Sequence, residues 1–298
     1  MGKVRDGKVV PKRYYRKITR LGGGFIPERG LAPDALERTL FALQEVIEIL
    51  KSERIEKMRA VGTEALRMAC NGSLFVDRVY SETGIPLEII DGAEEARLSA
   101  MGVLGALAPR PKRCLLFDVG GGSTEFILWD EERMLFHRSY PLGVVHLCEK
   151  YPSAAQQRKR IGEILKGFIA DLNAEGFGGT ARAPGCLLVG TAGTVTTLAA
   201  LRLGMTEYDW QRVNNFVLSL EELKPMLGRL EGLSVEEREA LPGMEKGRVD
   251  LIVPGLRAVL AIMEMLGKEK LTVSDFGLLE GILLEMGEQI PWQVKHGV

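Results

Sequence analysis

Phe117-Asp118-Val119-Gly120-Gly121-Gly122-Ser123-Thr124-Glu125-Phe126 is an apolar run that enters a turn of consecutive glycines and leaves as a second alternating run. Glycines carry no Cβ, so an anion can approach successive backbone N–H groups, and Gly120, Gly121, Gly122, Ser123 and Thr124 form a candidate phosphate cradle. The turn is not a Walker loop: no Gly-Lys-Ser/Thr is present, and the next segment has the period of a strand rather than of a helix. Glycines also serve tight hairpins by supplying positive φ, so the turn alone leaves both readings open.

With residues 120–123 as the loop, Val119 pairs with Thr124 and Asp118 with Glu125. The two carboxylates then share a face with Cβ atoms about 5 Å apart. Facing carboxylates repel unless a cation or a shared proton compensates them, and beside a phosphate cradle Mg²⁺ is the economical cation. The alternative is a solvent-facing pair on an ordinary hairpin. A second small-residue turn, Val189-Gly190-Thr191-Ala192-Gly193-Thr194-Val195-Thr196, follows an apolar strand and opens a helix. Gly190, Thr191, Gly193 and Thr194 are candidates for phosphate contact at that helix N-terminus, a second wall of the same site.

Outward from these turns the chain reads as alternating strands and helices. Leu36, Leu40, Leu43, Ile47 and Leu50 recur at steps of four and three behind Pro33, predicting an amphipathic helix over 33–50. Met58–Gly62 and Leu87–Asp91 read as strands, and Asp91 followed by Glu94 marks the start of a helix running through Leu104. Ala108-Pro109-Arg110-Pro111 breaks the pattern and is the expected domain boundary, dividing the chain into 1–108 and 109–298. Beyond it come a meander over Cys114–Val119, Thr124–Trp129 and Arg133–Arg138, and a helix around Gln156–Asn173. A strand at Cys186–Val189, a helix after Gly193, a long helix over Arg248–Leu266, a strand at Leu271–Val273 and a helix from Gly277 complete the reading.

The 298 residues carry 39 Lys plus Arg against 40 Asp plus Glu, 46% hydrophobic and 27% charged residues, a composition that excludes disorder, collagen and coiled coil. A net charge of −1 makes any anion site a local one. Lys3, Arg5, Lys8, Lys12, Arg13, Arg16, Lys17 and Arg20 crowd the first stretch around a turn at Asp6-Gly7, read as solubilising charge on an edge hairpin, with a polyanion strip as the alternative. Cys70, Cys114, Cys148 and Cys186 form no C-x-x-C pair and read as buried free thiols; His137, His146 and His296 have no metal-ligand spacing. No apolar run of about 18 residues and no signal-peptide stretch occurs, so a cytoplasmic location without membrane attachment is expected. Few aromatics and no recognisable module argue against dedicated nucleic-acid binding.

Asp118-Val-Gly-Gly-Gly-Ser-Thr-Glu125, together with Gly62-Thr-Glu-Ala-Leu-Arg67, Gly92-Ala-Glu-Glu95-Ala-Arg97, Gly190-Thr-Ala-Gly-Thr194 and Ser274-Asp275-Phe-Gly-Leu-Leu-Glu280-Gly281, resembles the exopolyphosphatase and guanosine pentaphosphate phosphohydrolase family. The resemblance runs over nearly the whole chain. It implies an α/β fold of the actin, Hsp70 and sugar-kinase superfamily, with two ribonuclease-H-like lobes and phosphates held in the cleft between them. It implies Glu95 as general base for the attacking water and Arg67 as the cation on a phosphoryl oxygen. Asp118 and Glu125 would hold Mg²⁺ or position water, while residues 120–124 grip the terminal phosphates. Inorganic polyphosphate or guanosine pentaphosphate is the implied substrate, and a homodimer is a family-level expectation.

Family members begin with a strand-turn-strand carrying Asp-x-Gly-Thr/Ser-Asn-Ser, which this sequence does not contain, and the first lobe is expected to lack that hairpin. Leu279 stands where the family usually has arginine, and the long helical C-terminal extension of larger members is not expected. Two further readings stay open: a catalytically impaired polyphosphate- or nucleotide-binding sensor of the same fold, and a kinase of the same superfamily.

Overall fold

The computed structural model describes residues 1–287 apart from 16, 18, 23, 24, 27, 56 and 132; Arg16 and His296 lie outside the described residues. Two compact units account for the chain: residues 1–95 with 282–298, and residues 96–281.

The first unit opens with strands β1 (Gly2–Arg5) and β2 (Lys8–Pro11), paired antiparallel across the Asp6-Gly7 turn. Both turn residues have positive φ, 51° and 70°, the requirement that makes Asp-Gly a hairpin signal. Helix α1 (Pro33–Ser52) starts on Pro33, whose missing N–H costs nothing at a helix N-terminus, and carries Asp34 in its first turn and Lys51 in its last. It packs with α3 (Gly72–Thr83): Leu40 of α1 and Phe75 and Val79 of α3 share a core with Leu31, Leu66 and Ile85. Strands β3 (Ala60–Gly62) and β4 (Leu87–Ile89) pair in parallel, with α2 (Glu64–Arg67) directly after β3. Helix α4 (Gly92–Ala106) begins where expected, because Asp91 Oδ1 accepts the Glu94 N–H at 2.8 Å.

The second unit is built on a six-stranded mixed sheet. Strands β5 (Arg113–Val119), β6 (Thr124–Asp130) and β7 (Arg133–Tyr140) form an antiparallel meander. Helices α5 (Val144–Lys150), α6 (Ala154–Ala174) and α7 (Gly178–Arg182) lead to β8 (Leu187–Thr191), which runs parallel to β5. After α8 (Ala192–Leu203) and α9 (Trp210–Val213) come β9 (Val217–Ser219), α10 (Leu220–Gly232), α11 (Val235–Glu239) and α12 (Ile252–Leu266). Strand β10 (Lys270–Val273) and α13 (Leu278–Gly287) follow, and the sheet order is β7-β6-β5-β8-β10-β9.

Strand alternation sends Leu115, Phe117 and Val119 of β5 to one face of the sheet and Cys114 and Leu116 to the other. The first face is covered by α6, α8 and α12, with Phe126 stacked on Phe168 at a ring separation of 3.9 Å. The second is covered by α4 through Ala96, Ala100, Val103 and Leu104. This packing explains a difference from the sequence-based division at 108/109. Residues 96–108 share a core with Cys114, Leu116, Ile127 and Trp129 and so fall in the second unit. Asn215 fastens the same stretch, donating to the Ala106 carbonyl at 2.8 Å and accepting the Ala108 N–H at 2.9 Å. All four cysteines are free, but only Cys114 and Cys186 are buried; Cys70 is exposed. No helix among the described residues is long and apolar enough to cross a membrane.

Candidate active site

The β5–β6 register is the one the sequence predicts: Asp118 faces Glu125, and Val119 faces Thr124. Parallel pairing adds Thr191 of β8 opposite Asp118, and β7 places Ser139 opposite Glu125, so four polar residues form one row across the sheet end. Glu125 Oε1 accepts hydrogen bonds from Ser123 Oγ at 2.5 Å and Ser139 Oγ at 2.8 Å. Two hydroxyls thus orient this carboxylate through one oxygen, and its other oxygen has no such contact among the described residues.

The glycine turn is held from behind by the start of α5. Val144 and Val145 donate their N–H groups to the carbonyls of Gly120 and Gly121, each at 3.0 Å. Gly143 permits this approach, since a Cβ there would lie 2.1 Å from the Gly121 carbonyl oxygen. Within the turn the Gly120 N–H bonds to the Ser123 carbonyl at 2.9 Å, and the N–H groups of Gly121, Gly122 and Ser123 have no acceptor among the described residues. None of Gly120, Gly121 or Gly122 has positive φ, so the turn does not need glycine for its dihedral angles. Their use here is the open approach to the main chain.

The threonines behave differently from the glycines. Thr124, Thr191 and Thr194 are buried, and their hydroxyls donate to the carbonyls of Leu142, Phe276 and Val119 respectively. In this arrangement each of the three hydroxyl protons is already committed to a main-chain carbonyl. Gly190 is a packing glycine, whose Cβ would meet Val195 at 2.9 Å and Phe117 at 3.0 Å. At the start of α8, Ala192 adopts φ 62°, a left-handed conformation costly for a residue with a Cβ and the kind of strain that collects at functional sites.

Arg248 is the residue that sequence reasoning missed. Its guanidinium packs onto Gly193, where a Cβ would lie 1.9 Å from Cζ, and its Nε donates to Glu245. A cation at the positive end of a helix is unfavourable alone and favourable once an anion joins it. The only local signal was the need for Gly at position 193, which a sequence reading assigns to the helix start.

Arg67 and Glu95 belong to the first unit. Arg67 Nη1 lies 3.3 Å from Glu95 Oε2 and donates to the Ile90 carbonyl at 2.7 Å, and both side chains are about 30% exposed. A neighbouring cation, Arg59, joins Glu88, Glu94 and Glu285 and fixes the first turn of α4 beside Glu95. Among the described residues no three His, Cys, Asp or Glu side chains converge as a metal cage; Asp118 and Glu125 face each other across β5 and β6.

A glycine turn with open N–H groups beside two facing carboxylates defines a phosphate-handling α/β protein. Residues 4–289 match the Ppx/GppA phosphatase family, and the chain belongs to it. It is 34% identical over 287 residues to exopolyphosphatase 2 of Mycobacterium tuberculosis, covering 91% of this chain and 87% of that protein. A solved Ppx/GppA family member from Aquifex aeolicus superposes with a TM-score of 0.81 at 31% identity, over 95% of this chain and 91% of that one. An exopolyphosphatase from Cytophaga hutchinsonii superposes with a TM-score of 0.75 at 27% identity, over 91% and 88%.

Proposed function

We propose that this protein is a Mg²⁺-dependent phosphohydrolase that releases terminal phosphate from inorganic polyphosphate or guanosine pentaphosphate, with Glu95 as general base. Its two compact units are read as the ribonuclease-H-like lobes of the actin-like superfamily. The observation that carries the reading is the pairing of Asp118 with Glu125 beside the three N–H groups of the glycine turn that no described residue accepts. Family membership and the exopolyphosphatase relatives support the substrate class.

Phosphoanhydride cleavage passes through a loose transition state in which charge spreads over the phosphoryl oxygens, so positioning and charge neutralisation do most of the work. The N–H groups of Gly121, Gly122 and Ser123 receive the terminal phosphoryl group without any rearrangement of side chains. Glu95 takes a proton from water as the water oxygen bonds to phosphorus. The bond to the bridging oxygen breaks, the shortened chain keeps that oxygen, and orthophosphate is released. Arg67 holds the Glu95 carboxylate in place and offsets charge on a phosphoryl oxygen.

Mg²⁺ suits the donor set, because it is commonly held by one or two carboxylates with water and substrate phosphate completing its shell. Asp118 and Glu125 would hold it, and bound there it would neutralise phosphate charge. Phosphate release from each substrate, assayed in Mg²⁺ and after chelation, tests the reading. Release that stops on chelation and returns with Mg²⁺ is expected. Release undiminished by the chelator, or none from either substrate, would sink it.

A further inference from the structure

We propose that the outer face of the β1–β2 hairpin binds an inorganic polyphosphate chain; the choice of ligand rests on the phosphohydrolase reading, and the site rests on the hairpin's own charge. Register and strand alternation fix the face. Val4 pairs with Val9 and both point inward: Val9 is buried, and a Cβ on Gly287 would lie 2.5 Å from Val4 Cβ. Lys3, Arg5, Lys8 and Val10 therefore share the opposite face, and all four are exposed. Lys12 is exposed as well and continues the second strand, its N–H donating to the Met1 carbonyl at 2.9 Å. Cations two residues apart along one strand stand about 7 Å apart, and those directly opposite across the ladder about 5 Å.

This charge is uncompensated within the protein. Arg5 lies directly opposite Lys8, and like charges so placed destabilise a strand pair. Among the described residues no acid forms an ion pair with Lys3, Arg5, Lys8 or Lys12, the turn residue Asp6 included, whereas the next cations along the chain, Arg13 and Lys17, are held by Glu53 and Glu45. Charge that only keeps an edge strand soluble needs no such concentration of one sign. In a chain of net charge −1 the face is a local field that attracts an anion. Linear polyphosphate carries negative charge on every phosphate of an extended chain, so it can lie across Lys3, Arg5 and Lys8 together, releasing counterions and relieving the repulsion between Arg5 and Lys8.

Calorimetric binding of long-chain inorganic polyphosphate to the full chain, with a metal chelator present and over a series of salt concentrations, tests the site. Lys8→Glu sets a carboxylate opposite Arg5, an attractive cross-strand pair; it is expected to weaken binding about tenfold while its urea midpoint stays at or above the parent's, which separates lost affinity from lost fold. The triple variant Lys3→Gln, Arg5→Gln, Lys8→Gln is expected to bind more weakly still and to lower the slope of log affinity against log salt by about two. Parent-like affinity and slope in the triple variant would overturn the site. A single-stranded RNA bound more tightly than polyphosphate, and weakened by the same substitutions, would overturn polyphosphate as its ligand. The predicted variant pattern with no phosphate release by the parent in Mg²⁺ would support the site and contradict the hydrolase reading. Phosphate release by the parent, with all variants binding alike, would overturn the site and leave the hydrolase reading in place.

Discussion

Arg67 and Glu95 meet at 3.3 Å, Nη1 to Oε2, and the same guanidinium nitrogen is tied to the Ile90 carbonyl at 2.7 Å. A pair this open to solvent contributes only about 0–1 kcal/mol to stability. Its significance is orientation. Arg67 is anchored to main chain just after β4, and Glu95 projects from the first turn of α4, whose backbone start is fixed by the Asp91 cap. The proposed role of Glu95 as general base requires its carboxylate to be held in one place, and these contacts hold Glu95 at both ends of its side chain.

The two acids of the β5–β6 hairpin should each set the metal demand. Asp118→Asn is expected to raise the Mg²⁺ concentration for half-maximal phosphate release at least about tenfold, since it removes charge from one of the two facing carboxylates proposed to hold the ion. Glu125→Gln should act in the same direction, and it also changes the acceptor that the Ser123 and Ser139 hydroxyls use. Mg²⁺ titrations of the two variants check this, and an unchanged half-saturation in Asp118→Asn would contradict it.

Asp275 makes stability depend on pH. Burial pushes its carboxyl up to about 6; the Tyr208 hydroxyl, which donates to it at 2.7 Å, pulls the other way, and Glu280 and Glu245 add to the rise. The unfolded chain releases this proton near the ordinary aspartate value of about 3.9. Between those values the native state binds the extra proton, so this group's contribution to stability falls as pH rises from about 4 to about 6. Asp275→Asn keeps an acceptor for Tyr208 and removes the titration. Urea unfolding should show the variant more stable than the parent at pH 7, by up to about 3 kcal/mol, and the difference shrinking as pH falls from about 6 to about 4. A difference independent of pH would contradict the assignment.

Alanine at different helical glycines should have opposite effects. A Cβ on Gly281 of α13 would lie 1.8 Å from the Leu98 carbonyl oxygen, and one on Gly102 of α4 would lie 1.9 Å from the Gly277 carbonyl oxygen. Backbone cannot swing aside as a side chain can, so Gly281→Ala and Gly102→Ala should each cost about 3 kcal/mol or more. Gly162 and Gly167 of α6 face open space. Alanine at either should stabilise by about 0.5–1 kcal/mol through helix propensity and a less flexible unfolded chain. Denaturant midpoints of the four variants test both signs.

Local pattern carried much of this fold in the sequence. The Asp118–Glu125 register followed from period-two alternation around a turn of fixed length, and the start of α4 from Asp91 and Glu94. What was illegible depended on partners distant in sequence. The hydroxyls of Thr191 and Thr194 look available in the primary structure, yet Phe276 and Val119 accept them, and Arg248 reaches Gly193 only through the fold. The unit boundaries at 95/96 and 281/282 fall inside α4 and α13, where apolar periodicity runs on unbroken and no Gly-Pro punctuation marks a change of core. The short β9, three residues long, gives too little alternation to read.

The most direct measurement of the central claim is the rate of phosphate release from tripolyphosphate by the Glu95→Gln variant, with its tripolyphosphate affinity measured alongside. The variant keeps the size of the side chain and loses the proton acceptor. Release about 10²- to 10⁴-fold slower than the parent, with binding retained, is the predicted result. Release at the parental rate by a variant that binds normally would contradict Glu95 as the general base.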